Sequence, residues 1–276
     1  MSIPSRPFDY EVNVPILTDF CMRFYVRDGG EVHDARIFPP HVDDMIEFYI
    51  LLEGDVSFMV EHSLYKLLPG DIVITKPNEM HNCILNSDSR HRHMCFWFDP
   101  TDDFLFSDFL AHEFGENNVC TPTPEDARKI ADICHELCAV SEAGTDRATA
   151  FHLGIQLLYY VRRNLGTHGK DIVIPDLLRR ILDDIHTDLA AIHSLSYFFD
   201  KYFISPSTLT RLFRKYLHTS PKMYLETKRL AYSRVLLRRG LSVSEAAETA
   251  GFPDYSNYIR LFRNRFGITP LQYRNM

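Results

Sequence analysis

Gly251-Phe252-Pro253-Asp254-Tyr255-Ser256-Asn257-Tyr258-Ile259-Arg260-Leu261-Phe262-Arg263-Asn264-Arg265-Phe266 is the stretch on which the reading of this chain turns. Gly251-Phe252-Pro253 is turn chemistry and Asp254 is a helix N-cap. Tyr258, Leu261, Phe262 and Phe266 then recur at helical spacing and form a face to bury, which leaves Ser256, Asn257, Arg260 and Arg263 outward. Just upstream, Ser242 caps a short helix from Val243 to Ala250. Short helix, turn, second helix is the helix-turn-helix arrangement, whose second helix lays its N-terminal residues against base edges in the major groove.

About fifty residues earlier the same build occurs. Leu195 to Tyr202 is a short scaffold helix, Phe203-Ile204-Ser205 the turn, and Ser205-Pro206 the N-cap and first position of a new helix through Tyr216. Leu209, Leu212, Phe213 and Tyr216 make its apolar face, with Ser207, Thr210, Arg211 and Arg214 pointing elsewhere. Between the units, Ser220-Pro221 opens a helix that runs through Leu237 and stops at Gly240, a rigid spacer. Arg211 and Arg260 stand one turn into their helices, where a guanidinium fork can match the two acceptors of a guanine.

The segment Gly251 to Pro270, followed by Gln272-Tyr273-Arg274, resembles the signature of the AraC/XylS family. Ser205 to Lys215 is similar to that family's first recognition helix, and Ser220-Pro221-Lys222-Met223-Tyr224-Leu225 to its connector. The match covers about 100 residues. One departure is Phe198-Phe199, where the family usually has Leu-Ala. The resemblance implies an all-α domain with two recognition helices in successive major grooves of double-stranded DNA. By position, Ser207, Thr210 and Arg211 are carried over as base readers of the first helix, and Ser256, Asn257 and Arg260 of the second. Lys215, Arg263 and Arg265 read as phosphate neutralisers or as solvated surface charges.

The charge distribution separates this part from the rest. The chain's net charge of −7 hides 16 Lys+Arg against 10 Asp+Glu from Asp171 onward, and 14 against 27 in residues 1–170. A basic part approaches a polyphosphate and an acidic part is repelled by it, so the two halves have different partners. No apolar run reaches the roughly 20 residues of a membrane span, and no apolar signal core follows Met1-Ser2-Ile3-Pro4. The six cysteines are irregularly spaced, which fits thiols in a reducing compartment. The expectation is a cytoplasmic protein without a membrane partner.

Residues 8 to about 100 read as short strands, among them Phe24-Tyr25-Val26, Glu47 to Leu52, Val56 to Val60, Asp71 to Ile74 and Met94 to Phe98. Turns divide them at Asp28-Gly29-Gly30, Glu53-Gly54-Asp55, Pro69-Gly70-Asp71 and Lys76-Pro77-Asn78. Pro40-His41-Val42-Asp43 through Glu47, Gly54, and Pro69 to Ile74 with Pro77 and His81 resemble the two motifs of cupin barrels. That resemblance implies an all-β barrel and inward positions for His41, Glu47 and His81. Asp43 stands where a metal-bearing cupin has its second His, and an Asp still ligates Zn²⁺, Fe²⁺ or Mn²⁺. A divalent metal held by His41, Asp43, Glu47 and His81 is therefore one reading. The reading preferred is a pocket without cofactor that takes an organic effector through His41, Glu47, Tyr49, His81, His93 and Trp97. Strand alternation supports it, because even offsets share a face: Glu47, Tyr49 and Leu51 on one strand, His93, Cys95 and Trp97 on another. A Trp above imidazole and carboxylate partners suits a sugar, while Trp97 as simple core filling is the alternative.

After Pro122 the pattern becomes helical. Thr123-Pro124-Glu125-Asp126 starts a helix carrying Ile130, Ile133, Cys134, Leu137 and Cys138, and a second runs from Arg147 to Leu165. Thr167-His168-Gly169-Lys170 is the linker candidate. The expected division is a sensing domain at 8–122, a helical coupling and dimerisation segment at 123–170, and a double helix-turn-helix domain at 171–276. Together these readings imply a DNA-binding transcription regulator controlled by a small molecule, an activator and homodimer that meets RNA polymerase by family analogy. It is read as no enzyme, and no residue is assigned a catalytic role. The rivals are a metal-dependent cupin enzyme with a DNA-binding tail, and a ligand-free regulator whose barrel only dimerises or meets another protein.

Overall fold

The structure is a computed structural model that describes residues 12–17, 20–29, 40–87, 89–98, 107, 109–142, 147–166, 170–171 and 174–276. The chain forms two compact units: 1–37, 43–77 and 83–172 make the first, and 38–42, 78–82 and 173–276 the second.

Among the described residues of the sensing half, β1 (Val12–Leu17), β2 (Phe20–Gly29), β3 (Ile46–Glu53), β6 (Ile72–Thr75), β8 (His91–Phe98) and β9 (Val119–Cys120) form one sheet, in the order β1-β2-β8-β3-β6-β9. A second sheet has the order β10-β5-β4-β7, from β4 (Val56–Val60), β5 (Ser63–Leu67), β7 (His81–Leu85) and β10 (Lys170–Asp171). The expected barrel is thus two antiparallel sheets, not closed into one wall among these residues. Gly30, part of an expected turn, lies outside the described residues.

Alternation in β3 and β8 builds two separate apolar layers. Ile46, Phe48, Ile50, Met94, Phe96 and Phe98 pack with α1 (Pro124–Glu142) and α2 (Arg147–Arg163), through residues such as Ile133, Leu137 and Leu157. The opposite face of the same strands carries Tyr49, Leu51, Cys95 and Trp97, which pack with Val56, Phe58, Val60, Tyr65 and Leu67 of the second sheet. Coverage on both sides is why Phe48 to Leu51 reads as a continuous apolar run. Register holds the inner row in line: Glu47 stands opposite Trp97, Tyr49 opposite Cys95 and Leu51 opposite His93.

The α1 start is capped as expected, with Thr123 Oγ1 accepting from the Asp126 N–H at 3.2 Å. Buried Asp126 also accepts from Asn164 Nδ2 at 2.8 Å and from Arg163 Nε at 3.1 Å, which ties the end of α2 to the start of α1. Of the linker candidate, Thr167 to Gly169 lie outside the described residues, and Lys170 does not act as linker. It is in β10, opposite Lys66, because backbone pairing with β5 claims it. Cys83, Cys95, Cys120 and Cys134 stand as thiols.

The second unit is helical: α3 (Asp176–Thr187), α4 (Ser196–Tyr202), α5 (Pro206–Leu217), α6 (Pro221–Arg238), α7 (Val243–Thr249), α8 (Tyr255–Phe266) and α9 (Pro270–Arg274). Serine caps at 205, 220 and 242 and Asp254 all accept from backbone N–H groups three residues on. Phe198 is fully enclosed and Phe199 half-buried, so the departure at this pair puts one ring into the core and leaves the other at its edge. Buried Arg234 is held by the Tyr273 hydroxyl at 3.3 Å and lies 4.6 Å above the Phe266 ring, which fastens α9 to α6. Among the described residues no helix is long and apolar enough to cross a membrane.

Candidate nucleic-acid interface and ligand-binding face

The α5 helix buries Leu209, Leu212, Phe213 and Leu217, and this turns its other face to solvent. Pro206, Ser207, Thr210, Arg211, Arg214 and Lys215 line an open concavity of about 640 Å³ along that face. All four expected first-helix residues, Ser207, Thr210, Arg211 and Lys215, are in it. Arg214 is not among the expected readers, yet it completes the lining, because the i, i+3, i+4, i+7 geometry that joins 207, 210, 211 and 214 includes it.

On α8, Tyr258 and Phe262 are buried while Ser256, Arg260 and Arg263 are exposed and Asn257 is half-buried. Asn257 is held twice: its backbone N–H donates to Asp254 Oδ1 at 2.9 Å, and its Oδ1 accepts from Arg260 at 2.6 Å. Two of the three expected readers of this helix, Asn257 and Arg260, are therefore already oriented by each other, with the Asn257 amide nitrogen still able to donate. Arg265 is half-buried, so its expected role as a free surface cation fits it less well than it fits Arg263.

Within the first unit, the inner face gathers more polar aromatic chemistry than the sequence reading assigned. The Tyr49 hydroxyl lies 2.6 Å from His91 Nε2 and 3.6 Å from Cys83 Sγ. His91 and His93 are stacked with centroids 4.6 Å apart, and Tyr49 stacks on His93 at 4.8 Å. Both imidazoles are 1% exposed, so they are enclosed and do not form a solvated strand edge. His91 was legible from the same alternation that selects His93, Cys95 and Trp97. Glu47 and Trp97 are buried on this face as expected.

His41 and His81 belong to the second unit, where their backbones exchange hydrogen bonds of 3.0 and 2.9 Å and their rings meet edge to face at 4.2 Å. Asp43 is half-buried and Glu47 buried, both in the first unit. The donor types remain those that suit a divalent ion.

Elsewhere in the fold, burial pushes the Asp71 carboxyl up, against the Leu68 N–H that it accepts at 2.7 Å. Burial, with Asp71 adding to it, pushes the Cys120 thiol up to about 12. This thiol stays protonated and is core, not a nucleophile.

Two family descriptions match the chain: "AraC-like ligand binding domain" over residues 26–158 and "Helix-turn-helix domain" over 199–276. The virulence regulon transcriptional activator VirF of Yersinia enterocolitica is 24% identical over 250 residues, covering 82% of this chain and 88% of its own. The HTH-type transcriptional activator RhaS of Escherichia fergusonii is 23% identical over 254 residues, covering 86% and 87%. Among solved structures, apo ToxT K231A from Vibrio cholerae is similar over 94% of this chain and 98% of its own, at 14% identity and a TM-score of 0.39. With matches to an AraC-like ligand binding domain ahead of a helix-turn-helix domain, the chain belongs to the AraC family of DNA-binding transcriptional regulators.

Proposed function

We propose that this regulator is a cytoplasmic activator whose DNA binding is set by a small organic effector held between the two sheets of its sensing domain. The observation that carries the reading is the inner face. There Glu47, Tyr49, His91, His93 and Trp97 place carboxyl, hydroxyl, imidazole and indole groups in an otherwise apolar layer. Such a layer accepts a ring on its aromatic surfaces and hydroxyls on its polar atoms, which favours a sugar or sugar derivative. Activation is supported by the names of the two relatives above, both transcriptional activators. RNA polymerase is then the protein partner. The exposed Ile155 and Tyr159, one turn apart on α2, supply an apolar strip for a homodimer.

On DNA, Ser207, Thr210 and Arg211 read one major groove and Ser256, Asn257 and Arg260 the next, with Lys215 and Arg263 on phosphates. Footprinting on DNA flanking the protein's own gene tests this, with wild type beside Arg211→Ala and Arg260→Ala. Each substitution should cost about 1–3 kcal/mol of discrimination at its own half of the site. Protection unchanged by either would remove the assignment of the recognition helices.

A melting-temperature screen against sugars, with Trp97→Ala as control, tests the effector. A shift that Trp97→Ala abolishes supports the pocket, and no shift from any sugar removes that ligand class. The edge-to-face His41 and His81 rings favour one second reading, a divalent ion held by these two imidazoles. Metal analysis of wild type and His81→Ala decides it: stoichiometric Zn, Fe or Mn lost on substitution supports the ion, and none in the wild type removes it.

A further inference from the structure

We propose that Phe203, in the turn of the first helix-turn-helix, is a DNA contact that supplies apolar surface beside the basic concavity of α5. Phe203 ends α4 in the left-handed conformation, φ 52° and ψ 45°, and is 94% exposed. Among the described residues the other non-glycines at positive φ are Glu61, Asn78, Asn117 and His218, all polar. A bulky ring is a rare choice for this backbone conformation. Strained positions of this kind concentrate where a ligand is clamped.

The second helix-turn-helix makes the choice at 203 informative. Its turn also needs a left-handed residue, and it uses Gly251 at φ 81°. There a Cβ would meet the Leu189 carbonyl oxygen at 3.2 Å and Arg229 Nε at 3.3 Å, so the body of the domain enforces glycine. At 203 the side chain points to open solvent, and Gly or Asn would satisfy the turn at lower cost. Neither burial nor backbone geometry accounts for a phenyl ring there.

Its place supplies the account. Phe203 stands three residues before Pro206, the first residue lining the concavity, and so within about 11 Å of it along the chain. Arg211, Arg214 and Lys215 in that lining attract phosphates, and an adjacent ring fits the apolar deoxyribose faces or a thymine methyl between them. A duplex offers both chemistries at this spacing, whereas an apolar protein partner would not call for the cations.

The test uses the full chain and the duplex that wild type enriches from a randomised pool. Phe203→Gly and Phe203→Asn should bind that duplex about tenfold more weakly, and Phe203→Tyr within about twofold of wild type. Melting temperatures of the Gly and Asn variants should be no lower than wild type, since both residues suit the backbone. Hydroxyl-radical footprints of the Gly variant should lose protection only on the half of the site that faces the first helix-turn-helix. Equal affinity of wild type and Phe203→Gly overturns the proposal. So does a weaker Gly variant with a lower melting temperature, which would make the ring structural. Unchanged duplex affinity with lost reporter transcription would also overturn it, by assigning the ring to a protein contact.

Discussion

Tyr49 and His91 show what a single buried pair asks of its neighbours. Both side chains are enclosed, and the short O–H to Nε2 contact satisfies two polar atoms that have no access to water. Tyr49→Phe keeps the ring stack on His93 and the tilted contact with Phe58 and deletes that bond. Leaving one buried partner behind should cost about 1–3 kcal/mol, read as a lower denaturant midpoint with an unchanged slope. A variant as stable as wild type would mean that the pair is not closed in solution. Asp71 gives the opposite case, a carboxyl that burial disfavours. Its folded pKa lies above the unfolded value, so its contribution is present below the unfolded value and lost as pH rises through the folded one. Asp71→Asn keeps an acceptor for the Leu68 N–H without a carboxylate to desolvate. Its melting temperature relative to wild type should therefore rise from strongly acid pH toward neutrality and then level off. Parallel melting curves across that range would contradict the assignment.

Elements were legible where the deciding chemistry is local. Ser205-Pro206, Ser220-Pro221 and Ser242-x-x-Glu245 each declare a helix start within four residues, and the structure starts α5, α6 and α7 there. In the last of these, Ser242 Oγ accepts from the Glu245 N–H while the Glu245 carboxylate accepts from the Ser242 N–H, at 3.2 and 2.8 Å. Hydrogen bonds to it from the Ser242 hydroxyl and backbone N–H hold the Glu245 carboxyl below the usual carboxylate range. Ser242→Ala should destabilise the helical domain by about 1 kcal/mol in chemical denaturation, because the Glu245 N–H loses its cap. Strands whose partners are remote were harder. β5 follows β4 through a two-residue turn at Glu61-His62, with Glu61 at φ 52° and no Gly or Asn to announce the hairpin. β10 is two residues long and takes its identity from Lys66 and Tyr65, a hundred positions earlier. In the site, Ser207, Thr210 and Arg211 were legible from helix periodicity. His91 shares the alternation of His93, Cys95 and Trp97, but its bond to Tyr49 depends on a strand 42 positions away, which periodicity within one strand does not reveal.

At the scale of the whole molecule, the excess of positive charge lies in the part that carries the recognition helices and the excess of negative charge in the part that senses. Sequence-independent affinity for a duplex must then come from cations of the second unit, while the acidic remainder keeps the rest of the chain off the phosphates. This arrangement separates two kinds of cation by experiment. Lys215 lies at the far end of the α5 concavity and Arg263 on the third turn of α8, both exposed and both past the residues proposed to read base edges. Binding isotherms on the selected duplex at several salt concentrations should give a linear fall of log affinity with log salt. Lys215→Ala and Arg263→Ala should each make that slope shallower by about one unit and weaken all sequences alike. Arg211→Ala should instead change the ranking of sequences as well as their affinity, since a bidentate base contact is lost. If Lys215→Ala leaves the slope where it was, that cation is a solvated surface charge. If it alters the ranking, the reading face of α5 extends one turn further toward its C-terminus than the register of Ser207, Thr210 and Arg211 places it.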